Sequence, residues 1–594
     1  MTQYKPPLQD LSFLLTHVFD IDDHAARAGI ELDAETVMAI AEEAGKLAAG
    51  CIDPINRAGD THGARMENGG VVTAPGFREA YAAYRDGQWS TLRFDADHGG
   101  QGLSAVIAAA VDEMWHGASI SFALCPMLTN GAVEALTLAA SDDVKKLFLS
   151  RLVSGEWTGT MNLTEPQAGS DLAAVKTRAV RQADGRYRIF GQKIFITYGD
   201  HDLTDNIVHL VLARVEGAPA GVKGLSLFAV PKRMVGADGS LLERNDLVCA
   251  ALEHKLGIHG SPTAVMVFGE TEGAVGYLVG EENRGLEYMF IMMNDARYSV
   301  GLQGLAISER AYQHAVAYAR ERVQGVPIGR GRESASPILH HPDVRRLLLA
   351  ARSDIDAMRA FAMHVAMQKD LSHSQAASPQ ARKRAEERLG FMIPILKGWF
   401  TENAVRIASD ALQVFGGMGY VEETGAAQYY RDARILTIYE GTTAIQANDL
   451  VGRKTLRDGG TVAMAVLEDI RQHANALQDL DQPAAVGLCG MLLQACTLQE
   501  EVLRWLKDNH EGNPAATHAG AVPYLMLWGM LCGGWMHALR LKGAASIGHS
   551  SRETDAVNMS ASYYAKHVLP HAVALSSAIQ FGAKPVTGFP DECW

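Results

Sequence analysis

The spacing of apolar residues changes twice along the 594-residue chain, and this constrains its fold more than any other feature. From Leu32 to Ala49 and from Ser104 to His116 apolar residues recur with helical spacing, and Ala132 to Leu152 continues the style. The first ~150 residues therefore read as helical. After Met161 the period falls to two: Thr177–Ala183 and Arg186–Phe190 flank Asp184-Gly185, a dipeptide suited to a type I′ hairpin turn. Further strand-like runs lie at Ile207–Ala213, Leu225–Val230 and Val265–Phe268. The helical period returns near Leu286 and lasts to the C-terminus. There Val344, Leu347, Leu348, Ala351, Ile355, Met358, Ala362 and Val365 lie mostly three or four apart, which predicts one packing stripe on a long helix. The polar stretch Lys369 to Lys383 reads as the connection to the next helix. Helices, then strands, then helices is neither the alternation of a βαβ fold nor a simple bundle. It predicts an α+β, mainly α chain: an N-terminal helical domain over 1–160, a middle β domain over 161–280, a helical bundle over 281–455 and an additional C-terminal helical domain over 456–594.

Charge and cysteine usage exclude several functions. Lys+Arg 54 against Asp+Glu 68 leaves a net charge of −14, whereas a phosphate-backbone binder needs a cationic face. Nucleic acid is not expected as a partner. The seven cysteines are scattered and form no C-x-x-C, so neither a disulfide framework nor a zinc ribbon is suggested, no metal is expected, and a cytoplasmic setting fits. The N-terminus lacks the basic start and apolar core of a secretory signal. Ala519 to Met536 carries no charge, but it contains Pro523 and Gly533-Gly534 and has no basic flank on its N-terminal side. It reads as a buried bundle helix rather than a membrane span. There is no G-x-x-x-x-G-K-[ST], H-E-x-x-H or G-x-S-x-G. Gly100-Gln-Gly-Leu-Ser-Ala105 fits G-x-G-x-x-A but lacks a βαβ unit around it, so it reads as a tight turn before a helix.

Three segments resist a purely structural reading. Leu163-Thr-Glu-Pro-Gln-Ala-Gly-Ser-Asp171 is a polar run of turn-formers where helix gives way to strand. In Lys193-Ile-Phe-Ile-Thr-Tyr-Gly199 an aromatic and a hydroxyl lie two residues apart, on one side of a strand, where a planar ring could stack and bond. Gln413-Val-Phe-Gly-Gly-Met-Gly-Tyr420 precedes Ile438-Tyr-Glu-Gly-Thr-Thr-Ala-Ile-Gln446. Singly these are a cap, a strand and a glycine-rich turn.

Together and in this order, L-T-E-P-x-A-G-S-D, K-x-x-I-T and I-Y-E-G-T-x-x-I-Q resemble the acyl-CoA dehydrogenase family over about residues 85 to 455. Gly99-Gly-Gln-Gly-Leu103, Lys255-Leu-Gly-Ile-His-Gly-Ser261, Gly280-Glu-Glu-Asn-Arg-Gly-Leu286 and Ala319-Arg-Glu-Arg322 support the resemblance. It implies a middle β-barrel between helical domains, FAD, a homodimer or homotetramer, α,β-dehydrogenation of an acyl-CoA, and transfer of electrons to an electron-transfer flavoprotein. Tyr4-Lys-Pro-Pro, Asn56-Arg-Ala-Gly-Asp60, Gly76-Phe-Arg-Glu-Ala-Tyr81 and Asp86-Gly-Gln-Trp89 resemble the methylthiopropanoyl-CoA dehydrogenase branch, whose substrate is a short acyl-CoA.

Residue by residue, the resemblance makes Glu440 the base for the α-proton. A carboxylate with an ordinary pKa near ~4.3 needs a water-excluding site to do this. The base position used by other branches falls on Ala296, which cannot act. The resemblance implies that the backbone N–H of Glu440 and a ribityl hydroxyl hold the thioester oxygen. It places Met161, Leu163, Thr164, Phe195, Ile196 and Thr197 at the flavin, with Phe195 where many members have Trp. Arg322, Gln324, Gln413 and Gly417 would hold pyrophosphate and adenosine across a subunit boundary, with Thr442 on the adenosine side. Ser170, Arg297 and Gly441 would face the acyl-CoA. The chain departs from the pattern at Arg322-Val-Gln-Gly-Val-Pro327, which is one residue short and lacks its aromatic, and at Ala444, which replaces a Gln. An acyl-CoA oxidase, a long-chain acyl-CoA dehydrogenase and the flavin-containing DNA-binding offshoot are the competing readings, the last opposed by the acidic balance.

Overall fold

A computed structural model describes residues 2–329, 335–480, 482–548 and 551–594. The chain divides into two compact units, one of residues 46–103 and 118–299, the other of 1–45, 104–117 and 300–594.

The first unit is built on an eight-stranded sheet. Its path runs Leu247–Leu252, Thr263–Phe268, Tyr187–Thr197, Ala274–Val279, Leu225–Pro231, Ile207–Val215 and Thr158–Asn162. Arg178–Arg181 pairs with both Tyr187–Thr197 and Ile207–Val215 and so closes the sheet into a barrel. Closure explains the apolar composition of the central strands. Along Ile207–Val215, Val208, Leu210 and Leu212 pack into one core with Leu136, Phe148 and Leu152 of the flanking helices. The alternating Val211 and Ala213 join Tyr187, Ile189, Phe228 and Phe268 in another. A strand buried on both faces reads as a continuous apolar run. The helix Ile120–Ala139 covers this sheet; it is long and apolar enough to cross a membrane, but 78% of its most apolar stretch is buried inside the protein.

Some local expectations are corrected here. Between Arg178–Arg181 and Tyr187–Thr197 only Gly185 has a positive φ, at 82°, and the Gln182 N–H donates to the Arg186 carbonyl at 2.9 Å. This is a longer loop with a left-handed glycine, not a two-residue type I′ turn, because Asp184 stays at negative φ. Strand structure begins at Thr158, ahead of Met161. Thr158-Gly-Thr-Met-Asn162 offers no apolar alternation to announce it. The pairs Arg65–Glu67 with Gly70–Val72 and Arg233–Val235 with Leu241–Arg244 were also invisible, being too short to show a period.

The second unit is helical. Its longest elements are Gly285–Glu321, which begins in the first unit, Pro342–His373 and Pro379–Val414. The segment beyond residue 455 adds Thr461–Asn475, Pro483–His510, Ala521–Ser546, Arg552–Tyr563 and His571–Phe581 to the same unit. The expected stripe on Pro342–His373 is present, but it is not confined to one face, because every residue from Ser353 to Met363 is buried. That includes Asp354, Asp356 and Arg359. Arg359 is held by Glu113 at 2.6 Å, Glu309 at 2.8 Å and Asp10 at 3.1 Å. Asp356 accepts from Ser560 at 2.8 Å and pairs with Arg540 at 3.3 Å. Buried ion pairs add little net stability over apolar packing, but they penalise any other register. The connection to Pro379–Val414 is shorter than the polar composition suggested, only residues 374–378, because polar residues at helix ends face water. Ala521–Ser546 is a buried helix, in place of a span.

Candidate active site

Two groups of the predicted residues are brought together, each within its own unit. In the first unit, the loop Leu163–Asp171 is tied down onto the strand Tyr187–Thr197. The Ile194 N–H donates to the Thr164 carbonyl at 2.9 Å. The Lys193 ammonium, fully buried, donates to the Leu163 carbonyl at 2.9 Å and to Glu165 at 2.8 Å. Glu165 also accepts from the Thr177 hydroxyl at 2.6 Å, the Thr177 N–H at 3.1 Å and the Lys176 N–H at 2.8 Å. Burial would raise its pKa, but Lys193 and these donors bring it down to about 2. This ionised hub sets Leu163 and Thr164 beside Phe195, Ile196 and Thr197.

The strand is irregular where those residues stand. Its register against Thr263–Phe268 shifts between Lys193 and Ile196, and Phe195 has φ +60°. A bulge with a non-glycine residue in the left-handed region stores strain, a feature concentrated at functional sites. Phe195 is thereby 58% exposed while Ile196 is 2% exposed and Thr197 half-buried. Met161 is half-buried on Thr158–Asn162, Ser170 is exposed on the loop, and Arg297 is buried on Gly285–Glu321.

In the second unit the segment Ile438–Gln446 turns sharply between a short helical turn, Arg434–Thr437, and the helix Thr443–Asp449. Glu440 has φ +53° and Gly441 φ +89°. Thr442 caps the following helix, its hydroxyl accepting from the Ile445 N–H at 3.3 Å. The Gln446 amide donates to the Glu440 carbonyl at 3.2 Å and to the Gly441 carbonyl at 3.4 Å. Lys397, buried in the middle of Pro379–Val414, donates to the Gly441 carbonyl at 2.7 Å. The Tyr439 hydroxyl donates to Gln303. Burial, with the Glu440 and Asp432 carboxylates adding to it, pushes that phenol well above its ordinary range, so it stays a donor.

The remaining predicted residues of this unit are exposed. Arg322 bonds Gln324 at 3.4 Å, and the shortened loop is fixed by the Gln324 N–H to the Ser336 carbonyl at 3.1 Å and by His341 on the Gln324 carbonyl at 2.8 Å. Gln413 ends Pro379–Val414, and Gly417 follows in Gly416–Tyr420. A β-carbon on Gly416 or Gly417 would meet nothing within 4 Å. Sequence reasoning missed Lys397, Gln446, Gln303 and the roles of Glu165 and Lys193. Lys397 had a signal, being the lone charge between Arg388 and Glu402 in an otherwise uncharged run.

Family-level comparison divides the chain into recognised segments. Residues 34–156, 160–271 and 283–454 match the N-terminal, middle and C-terminal domains of acyl-CoA dehydrogenases, and 466–590 match the acetyl-CoA dehydrogenase C-terminal-like domain. The chain is 47% identical, over 97% of its length and 98% of the relative's, to a 3-methylmercaptopropionyl-CoA dehydrogenase of Ruegeria pomeroyi. It belongs to the acyl-CoA dehydrogenase family. Members are flavoprotein oxidoreductases that act on CH–CH donors, and this chain is such an enzyme. The fold is shared with Caenorhabditis elegans ACDH-11 in complex with C11-CoA, at TM-score 0.75 and 20% identity over 95% of this chain and 92% of that one. It is also shared with a Bacillus anthracis acyl-CoA dehydrogenase complexed with FAD, at TM-score 0.73 and 21% identity over 98% and 93%.

Proposed function

We propose that this acyl-CoA dehydrogenase converts 3-methylthiopropanoyl-CoA, or another short acyl-CoA, to its 2-enoyl-CoA with FAD as cofactor and Glu440 as base. The observation that carries the reading is the left-handed turn at Glu440, a non-glycine residue held in a strained conformation by buried donors on both following carbonyls. The substrate class follows the near full-length likeness to the Ruegeria pomeroyi enzyme.

The residues fit a flavin dinucleotide. Phe195 offers an exposed ring face beside Thr164 and Thr197, and the space over Gly416 and Gly417 lets a phosphate approach the backbone. Met161, Leu163 and Ile196 would line the ring, and Arg322, Gln324, Gln413, Gly417 and Thr442 would hold the diphosphate and adenosine, contributed between subunits of a homodimer or homotetramer. When bound, FAD supplies the hydride acceptor that no side chain can provide. Glu440 takes the α-carbon proton, and the bond electrons left behind form the α,β double bond as the β-hydrogen departs as hydride. The Glu440 N–H donates to the thioester oxygen as it gains charge. Ser170, Gly441 and Arg297 bound the acyl-CoA, with Arg297 as the local cation for its phosphates in a chain of net charge −14. Electrons then pass to an electron-transfer flavoprotein. The four segments 1–160, 161–280, 281–455 and 456–594 are part of the same proposal.

The test is anaerobic mixing of the holoenzyme with 3-methylthiopropanoyl-CoA and with C4 to C16 acyl-CoAs, followed at the flavin band. Bleaching should be fastest with the thioether or a C4 substrate and absent in Glu440→Gln at unchanged FAD content. Protein that carries no FAD after gentle purification overturns the assignment, and wild-type reduction of Glu440→Gln moves the base elsewhere. Catalytic reoxidation by air alone would mark an oxidase instead.

A further inference from the structure

We propose that Lys397 is a positioning residue for the base, fixing the turn that presents Glu440 and setting the charge around it. The inference rests on Glu440 being that base and extends it to a residue on another helix. Lys397 has no exposed surface, and its ammonium donates at 2.7 Å to the carbonyl of Gly441, the residue directly after the base. Placing an ammonium in a protein interior is costly, so a lysine so placed needs strong acceptors. A carbonyl made to point inward by a left-handed turn is such an acceptor.

The turn in turn needs the lysine. A non-glycine residue at φ +53° is disfavoured by the close approach of its β-carbon to the backbone. Relaxing Glu440 to ordinary φ would swing the Glu440 and Gly441 carbonyls away from Lys397 and from the Gln446 amide, which bonds them at 3.2 and 3.4 Å. The Thr442 cap fixes the exit of the turn. Lys397 is the charged member of this clamp and comes from a different helix, so it ties the catalytic turn to Pro379–Val414. Two consequences follow for the reaction. The Glu440 backbone is held to the sub-ångström tolerance that proton abstraction requires, where a 1 Å displacement costs on the order of 100-fold. A buried cation hydrogen-bonded to the residue after the base also favours the negative charge that develops on the thioester oxygen as the proton leaves.

The experiment compares Lys397→Met, Lys397→Arg, Gln446→Leu and Glu440→Gln holoenzymes by anaerobic stopped-flow flavin reduction against pH, with FAD content and apparent substrate Kd measured in parallel. Lys397→Met is expected to keep FAD and substrate Kd but reduce the flavin about 100-fold more slowly. The apparent pKa of its reductive step should rise, because the catalytic turn loses its buried cation. Lys397→Arg, which restores the charge, should recover at least tenfold of the rate. Lys397→Met reducing flavin at the wild-type rate and pKa overturns the proposal while leaving the base intact, provided Glu440→Gln is inactive. A Glu440→Gln enzyme that still bleaches fails the base assignment instead. Where Lys397→Met does not fold, Gln446→Leu decides: a tenfold slower reduction at unchanged Kd supports the clamp, and a wild-type rate overturns it.

Discussion

Replacing Lys193 by Met should destabilise the first unit far more than an ordinary lysine substitution, and the loss should shrink in acid. Methionine keeps the apolar stem of Lys193 but leaves Glu165, whose side chain is 3% exposed, without its ammonium partner. In the wild type the Glu165 pKa lies at about 2 against an ordinary 4.5. The depressed carboxylate favours the pair while the burial that brings Lys193 down to about 8 opposes it, and breaking a buried pair typically costs about 3–5 kcal/mol. For a unit of this size that is a fall in Tm of about 6–20 °C. The direction with pH follows from linkage. The wild-type contribution is complete above pH 4.5 and is lost as pH falls toward 2. In the variant a buried carboxylate without a partner has a raised pKa, so protonation relieves it as pH drops. Between pH 7.5 and 4.5 only the second effect operates, and it narrows the gap between the two proteins. Thermal unfolding of wild type, Lys193→Met, Glu165→Gln and the double variant at pH 7.5, 6 and 4.5 tests this, the double variant recovering part of the loss because no charge remains buried. A Lys193→Met protein with wild-type Tm at pH 7.5, or a gap that widens in acid, would refute the reasoning.

Other perturbations separate cofactor binding from folding. Gly417→Ala meets no atom within 4 Å, so its apoprotein should unfold at the wild-type temperature while its FAD affinity, read by flavin fluorescence, falls at least tenfold. Gly529→Ala would place a β-carbon 2.2 Å from Cγ of Trp399, and overpacking of this kind should cost about 1–3 kcal/mol in thermal unfolding. His259 is raised to about 9, first by its hydrogen bond to Asp60, which opposes its burial. Its contribution is therefore complete below pH 6.5 and is lost as pH rises through 9, and Asp60→Asn should flatten that part of the Tm-against-pH curve.

The helices were legible because long amphipathic periods survive local exceptions, as Pro342–His373 shows. Its stripe was visible, but its burial on every side was not, since Asp356 and Arg359 look like solvent-facing charges until Arg540, Glu113 and Glu309 are placed around them. The barrel was half legible. Apolar strands such as Leu225–Pro231 declared themselves, whereas Thr158–Asn162 is carried by its neighbours and has no pattern of its own. At the site, motif residues such as Thr164, Phe195 and Glu440 stood out because their order along the chain is distinctive. Lys397 and Gln446 did not, because holding a backbone carbonyl requires no particular spacing in sequence. The conformation of Phe195 was hidden for a related reason: a bulge depends on the partner strand as much as on its own residues.

The all-round burial of Pro342–His373 also bears on how the chain is made. Ser353 bonds His537, 184 residues further on, and Arg359 bonds Asp10, 349 residues before it. At about 5–20 residues per second of synthesis, the middle of that helix leaves the ribosome about 10–40 seconds before its C-terminal cover exists. For that interval a helix that ends up buried on every side has no native partner on one of them, and Asp356 waits for Arg540. The unit completes only after nearly the whole chain has been released, which makes folding a late event and the growing chain a client for anything that shields apolar surface.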